Sequence, residues 1–405
     1  MMNEQTLDLS YLLTPEGIAD PYPLFHRLRA EAPVHSDRTL MGWVVTRYAD
    51  CQALLHDPRL RAFKSMSSER ASELGLTALE PYYRMLQTEV FFQDPPQHTR
   101  LRRLMGSVFT PQRIEGMRAS IERWTDEMLD AVADAGEMDL VRDLAFPLPA
   151  LVIARLLGLP DADVPRFRTW ADDAIPLMTY NPPEAAEIPR LVRSGQEYTE
   201  YFHALIADRR THRRDDLISA LLGAEEKGYR LSDEEVIGNA FGLLFAGHET
   251  SNGVISAGLL ALLRAPDQLA RLRRDPALVP SAVEELLRHQ GSALGSMRLA
   301  GEDLEIGGQA ITRGEPVFLM VAAANRDPAQ FPDPDRLDVG RTNNRHLAFG
   351  YSHHFCMGAP LARLEIQCVL TAILRRMPGL RLADAPPVWA PHVLMRTLKS
   401  LPVRF

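Results

Sequence analysis

Hydrophobic positions along this chain recur mostly at helical spacing. In "TPQRIEGMRASIERWTDEMLDAV", residues 110–132, Ile114, Met117, Ile121, Trp124 and Met128 fall on one face of a helix. The stretch "SDEEVIGNAFGLLFAGHETSNGVISAGLLALLR", residues 232–264, predicts the longest helix. Ser232 with Glu235 three positions on is a capping-box pattern, in which each side chain satisfies the other residue's backbone N–H. From Phe241 to Ala246 this helix is apolar nearly all round, so it is expected to run through the core. Strand patterns are few and short: "MGWVVTRY" near the N-terminus, "DLEIGGQAI" and "EPVFLMV" in the last third. Two long stretches, roughly 61–96 and 172–190, show no periodicity and read as functional lids or disordered segments. The pattern predicts a mainly α body with a small β-rich region built from both chain ends. No linker or repeat interrupts it, so one domain spanning 1–405 is expected.

Composition narrows the function classes. With 46% hydrophobic and 24% charged residues the chain can bury a large core. A net charge of −8 argues against nucleic acid as a partner, because phosphate binding needs a basic surface. Glu4, Asp8 and Glu16 break up the N-terminal segment, and no run reaches the roughly 18 apolar residues of a spanning helix. A cytoplasmic protein without a membrane segment is expected. The three cysteines, Cys51, Cys356 and Cys368, lie far apart and fit a reducing compartment, not a disulfide framework.

The densest chemistry is "FGYSHHFCMGAPLAR", residues 349–363. A helix is expected directly after Cys356, with Pro360 in its first turn, where a missing N–H costs nothing. Leu361, Leu364, Cys368 and Ala372 share one face of it, so Cys368 reads as core, as does Cys51 in step with Leu54 and Leu55. Cys356 stands just before the helix, where unpaired N–H groups and the dipole favour an anion. Three readings of it stand side by side: a buried structural cysteine, a zinc site with His353 and His354, and thiolate ligation of haem iron.

The segment resembles the haem-binding loop of the cytochrome P450 family, Phe-x-x-Gly-x-His/Arg-x-Cys-x-Gly. It matches at Phe349, His354, Cys356 and Gly358 and departs at Ser352, where the family usually has glycine. A left-handed serine costs about 1–2 kcal/mol. Four further motifs follow the family's order. "EELLR" supplies Glu285 and Arg288, joined in the family by a later arginine that Arg336 of "DPDRLD" resembles. "FAGHETS" matches the family's mid-helix pattern at Ala246, Gly247, Glu249 and Thr250; helix packing through a small residue is the plainer account of Gly247. "DPPQHTRLRR" places His98 and Arg102 one turn apart, and Arg298 lies in "SMRLA". The fourth is the Pro- and Asp-rich run "NRDPAQFPDPDRLDVGR" before the haem loop.

The resemblance implies a P450-like fold with a buried haem b (iron protoporphyrin IX). It implies Cys356 as the iron ligand and His98, Arg102, Arg298 and His354 at the haem propionates. Phe349, Ala246 and Gly247 would lie against the haem. Thr250 and Glu249 would activate O2 and relay protons. Phe245, Ala246, Leu294, Leu394, Met178 and Phe92, with Met66, Tyr82, Met85, Phe91 and Tyr180, would line a pocket for a sizeable apolar small molecule. The chain carries no Gly-x-Gly-x-x-Gly fingerprint after a strand, so electrons are expected from a ferredoxin and its NAD(P)H-dependent reductase. That partner would dock near Arg103, Arg345 and Arg363, on a monomeric monooxygenase. Oxidative coupling, or a non-catalytic haem-binding protein, is the alternative.

Overall fold

Two of the short strand patterns, "MGWVVTRY" and "EPVFLMV", enter a five-stranded sheet in the computed structural model, which describes residues 7–62, 68–178 and 183–405, while "DLEIGGQAI" forms a separate hairpin of Leu304–Ile306 with Gln309–Ile311. The strands of the sheet are β1 (Val34–Asp37), β2 (Gly42–Val45), β3 (Leu60–Ala62), β4 (Ser296–Ala300) and β5 (Pro316–Leu319), in spatial order β1-β2-β5-β4-β3. β2 runs parallel to β5, with Val45 opposite Leu319, and β4 runs antiparallel to β5, with Arg298 opposite Val317. Both chain ends thus meet in the β region, as the patterns predict. Val45, Val317 and Leu319 bury one face against Leu54, Leu55 and Cys51, so Cys51 is a core thiol.

The longer helices are α1 (Tyr22–Glu31), α2 (Tyr48–His56), α3 (Gln97–Val108), α4 (Arg118–Asp130), α5 (Pro147–Leu157), α6 (Val164–Met178), α7 (Ile188–Thr211), α8 (Asp233–Arg264), α9 (Val279–Gln290) and α10 (Ala359–Arg376). The chain divides into two compact units. One holds Met1–Arg61, Arg118–Pro147 and Thr250–Phe405, with the sheet, α4, α9 and α10. The other holds Ala62–Met117 and Leu148–Glu249, with α3, α5, α6 and α7. The two halves of α8 belong to different units.

The capping box opens α8 as predicted: Glu235 N donates to Ser232 Oγ at 3.2 Å, and Ser232 N to Glu235 Oε2 at 3.0 Å. The single helix expected over 110–132 is interrupted. Gly116 ends a short helix, Pro111–Glu115, before α4 begins with a new buried face of Ile121, Trp124, Thr125 and Leu129. The stretch 61–96 is less irregular than its pattern, since it contains the helices Ser68–Glu73 and Glu80–Leu86. Helices that short span too few turns to register as periodicity. Likewise α6 continues through Pro176 to Met178. Met66 and Tyr180 lie outside the described residues. Among the described residues no helix is long and apolar enough to cross a membrane.

Candidate active site

Cys356 sits in a loop shaped by two left-handed residues, Gly350 (φ 70°) and Ser352 (φ 63°). Glycine adopts that conformation without strain and serine does not. The loop closes on itself: Gly350 N donates to Leu347 O at 2.9 Å, Phe355 N to Ser352 O at 3.0 Å, and Cys356 N to Phe349 O at 2.8 Å. Gly358 then caps α10, and Pro360 occupies its first turn. Cys356 is half-buried between buried Leu347 and buried Ala359, while Cys368 is 3% exposed within α10. His354 ends the short turn Ser352–His354, its ring 4.8 Å from that of His353. Phe349 packs under the Arg363 guanidinium, 4.6 Å from its ring centre. Arg363 is itself held by Glu284 at 2.7 Å, and Glu284 also meets His346 Nε2 at 3.2 Å. Burial opposes ionisation of Glu284, yet the Arg363 and His346 hydrogen bonds bring its pKa down to about 2.

An ionic cluster centred on a fully buried pair stands on α9. Arg288 forms a fork onto Glu285 with two bonds of 2.8 Å, and the two side chains are 0% exposed. The third member is Arg341, whose Nε lies 3.1 Å from both Glu285 oxygens. This corrects the expectation for Arg336: its side chain is exposed, and only its carbonyl reaches Arg288. The reason is a turn in which Arg341 N donates to Asp338 O, while Asp338 N itself donates to Glu285 Oε1 at 2.9 Å. That turn carries Arg341, five residues later, back onto the carboxylate.

In the same unit, Arg298 of β4 is 6% exposed and its guanidinium folds back on Ser296 Oγ at 2.9 Å and Met297 O at 2.8 Å. Leu294 and Leu394 come together, with Leu294 N donating to Leu394 O at 2.8 Å. Thr250 is half-buried on α8 and the next residue, Ser251, is 3% exposed. Sequence reasoning missed Glu365. Burial pushes its carboxyl up to about 8, with the Ser251 hydroxyl pulling the other way, and neither of its oxygens has a full hydrogen bond. A carboxylate in step with Leu361, Leu364 and Cys368 on an apolar face was the available signal.

In the other unit, His98 (2% exposed) and half-buried Arg102 lie one turn apart on α3. On α8 the burial pattern breaks one turn before Thr250. Phe241, Gly242 and Leu244 are buried, Phe245 is half-buried, and Ala246 is exposed although it lies mid-helix. An exposed alanine near the centre of a 32-residue helix leaves room for close approach to the helix backbone there. A Cβ on Gly247 would stand 2.5 Å from Ile153 Cδ1 of α5, so close helix packing explains this glycine. Glu249 is half-buried and Phe92 is 4% exposed. The side chain of Met178 lies outside the described residues. A second missed acid is Glu89, 6% exposed, in an aromatic-rich segment.

A thiol in a preformed loop, imidazole and guanidinium groups for carboxylates, and a bare alanine on a core helix suit a haem-thiolate cofactor. The chain belongs to the cytochrome P450 family, whose profile matches residues 166–378. It is an enzyme of the P450 monooxygenase type with the mainly α P450 fold. It is 42% identical over 393 residues to "Cytochrome P450 107B1" of Saccharopolyspora erythraea, covering 95% of each chain. It is 41% identical over 408 residues to "Cytochrome P450 monooxygenase PikC" of Streptomyces venezuelae, covering 98% of this chain and 94% of that one. Among solved structures it resembles the Bacillus subtilis 168 bacillaene polyketide synthase cytochrome P450 PksS. That match has a TM-score of 0.88 and 35% identity over 97% of this chain and 98% of that chain.

Proposed function

We propose that this enzyme hydroxylates or epoxidises a sizeable, largely apolar natural-product intermediate, with haem b held through Cys356. The observation that carries this reading is the tied loop of Cys356, with its backbone bond to Phe349 and the helix start three residues on. Bound haem with a thiolate ligand supplies reductive activation of O2 and transfer of one oxygen atom to carbon. His98, Arg102, Arg298 and His354 hold the propionates, where the planar forks of the arginines suit carboxylate oxygens. Arg363 and Phe349 keep the loop rigid. Thr250 and Glu249, half-buried on α8, position and deliver protons at the oxygen-binding side. Phe245, Ala246, Leu294, Leu394 and Phe92 exclude water and orient the substrate. The polyketide names carried by relatives support the substrate class. Electrons come from a ferredoxin and its reductase, and the enzyme works as a cytoplasmic monomer.

One set of variants tests this. Cys356→Ala abolishes the thiolate-type carbon monoxide spectrum of the reduced protein, and Cys368→Ala keeps it. Thr250→Ala keeps that spectrum but diverts reducing equivalents to hydrogen peroxide. Full coupling in Thr250→Val, which has similar volume and no hydroxyl, would assign Thr250 to helix packing alone. A normal spectrum in Cys356→Ala would sink the ligand assignment.

A further inference from the structure

The segment Thr88–Val90 lies along the first half of α8, and the helix is shaped to receive it. Gly238 and Gly242 are one turn apart, and a Cβ on either would collide with Thr88 Oγ1 or Glu89 Oε1 respectively. Between them Asn239 clamps the backbone: its Nδ2 donates to Thr88 O at 3.2 Å, and its Oδ1 accepts from Val90 N at 3.0 Å. The Thr88 hydroxyl donates to Glu234 O at 3.0 Å. Glu89 is therefore fixed through its neighbours and its backbone.

One oxygen of its carboxyl is left without a partner in the fold. Glu89 Oε2 is buried and has no hydrogen-bond partner, and the same holds for the hydroxyl of Tyr82, a residue 5% exposed. Both groups lie within electrostatic reach of the Tyr198 hydroxyl, which donates to Ile237 O at 3.1 Å. The rings of Tyr82 and Tyr198 each meet Phe241 edge-on, at 5.3 and 5.1 Å. Among the described residues no cation pairs with Glu89. Leaving a buried polar group unsatisfied costs about 1–3 kcal/mol, and such groups in native proteins call for a ligand or a water. Gly242 sets this carboxyl on α8 one turn before Phe245 and Ala246, which share its side of the helix and lack full burial. Apolar burial pushes the Glu89 pKa up to about 8, so the group carries its proton at neutral pH and acts as a donor.

We propose that Glu89, backed by Gly242, is a hydrogen-bond donor that selects substrates bearing a ketone or lactone oxygen on an apolar skeleton. This rests on the monooxygenase reading of the same site. An analogue without the acceptor leaves the donor unpaired and is disfavoured about tenfold. A cationic amine would instead draw the proton off the acid and bind as an ion pair.

The test uses the holoenzyme with cyclododecanone, cyclododecane and dimethylcyclododecylamine, followed by calorimetry and by infrared difference spectroscopy. Wild type and Glu89→Gln, which keeps an N–H donor, bind the ketone about tenfold more tightly than the hydrocarbon. Glu89→Leu, which removes the orphaned acid without adding a buried polar group, brings that ratio near one. The infrared difference between wild type and Glu89→Gln shows a protonated carboxyl stretch that shifts to lower frequency with ketone. A wild type that binds neither probe, or both alike, overturns the proposal. So does a ratio unchanged in Glu89→Leu, or an amine that binds most tightly and converts the band to carboxylate. A thiolate-type carbon monoxide spectrum in each variant keeps the two readings apart: its loss counts against the monooxygenase reading, and its retention without ketone preference counts against this one.

Discussion

Ser352 holds a φ of 63° in the loop before Cys356, and its Oγ lies 2.7 Å from Nδ1 of His56 at the end of α2. The backbone conformation costs about 1–2 kcal/mol and one hydrogen bond offsets about 0.5–1.5 of it. Ser352→Gly therefore changes the unfolding free energy by no more than about 1.5 kcal/mol. His56→Ala lowers stability by about 0.5–1 kcal/mol in the wild type and by nothing in the Ser352→Gly background. Denaturant unfolding of the four proteins checks this, and a strictly additive cycle would reject the pairing. Glu89 and Glu365 make a second residue-scale prediction. Their folded pKa values, about 8, lie above the ordinary 4.5, so the unfolded chain loses these protons first. Stability from the neutral acids is complete below about pH 4.5 and is lost as the pH rises through about 8. Replacing both by glutamine should flatten that decline in melting temperature across the same window, and an unchanged slope would reject it.

At the scale of elements, the Glu285 cluster ties α9 to the loop that precedes Cys356. Arg288 Nη1 also donates to Asn325 O and Pro334 O, both at 2.8 Å, so one helix fixes several turns of irregular chain. Removing Arg341 leaves a buried carboxylate short of a charge-assisted partner. Arg341→Met should cost about 1.5–3 kcal/mol, whereas Arg336→Met should stay within about 0.5 kcal/mol, because only its main chain takes part. Equal losses in a thermal or denaturant titration would restore Arg336 to the cluster. Spacing alone could not choose between two arginines five residues apart; the turn at Asp338 decided it.

At the scale of the molecule, the proposed docking of an acidic electron donor to a chain of net charge −8 would depend on local arginines. The three expected to serve are not equivalent. Arg103 faces Glu226 at 3.3 Å and Arg363 is bonded to Glu284 at 2.7 Å. Arg345 is exposed and enters no ion pair among the described residues. Electron-transfer rates should fall with ionic strength, and Arg345→Glu should lower them most at low salt. Arg363→Glu should act chiefly by loosening the Cys356 loop, visible as haem loss. Rates insensitive to salt and to Arg345→Glu would remove this surface from the docking site.

Local patterns alone determined the mainly α class, the capped start of α8, the strands at both chain ends and the core positions of Cys51 and Cys368. Each depends on periodicity or on chemistry within a few residues, and that information is contiguous in the chain. The special place of Cys356 was legible because loop, cap and helix follow one another directly. The tertiary structure alone decided the pairing of Glu285 with Arg341, the approach of Ile153 to Gly247, the bond from His56 to Ser352 and the burial of Glu89 and Glu365 without full partners. These depend on which distant segments pack together. A hydrogen bond forms or fails over a few tenths of an ångström, and no periodicity encodes that distance.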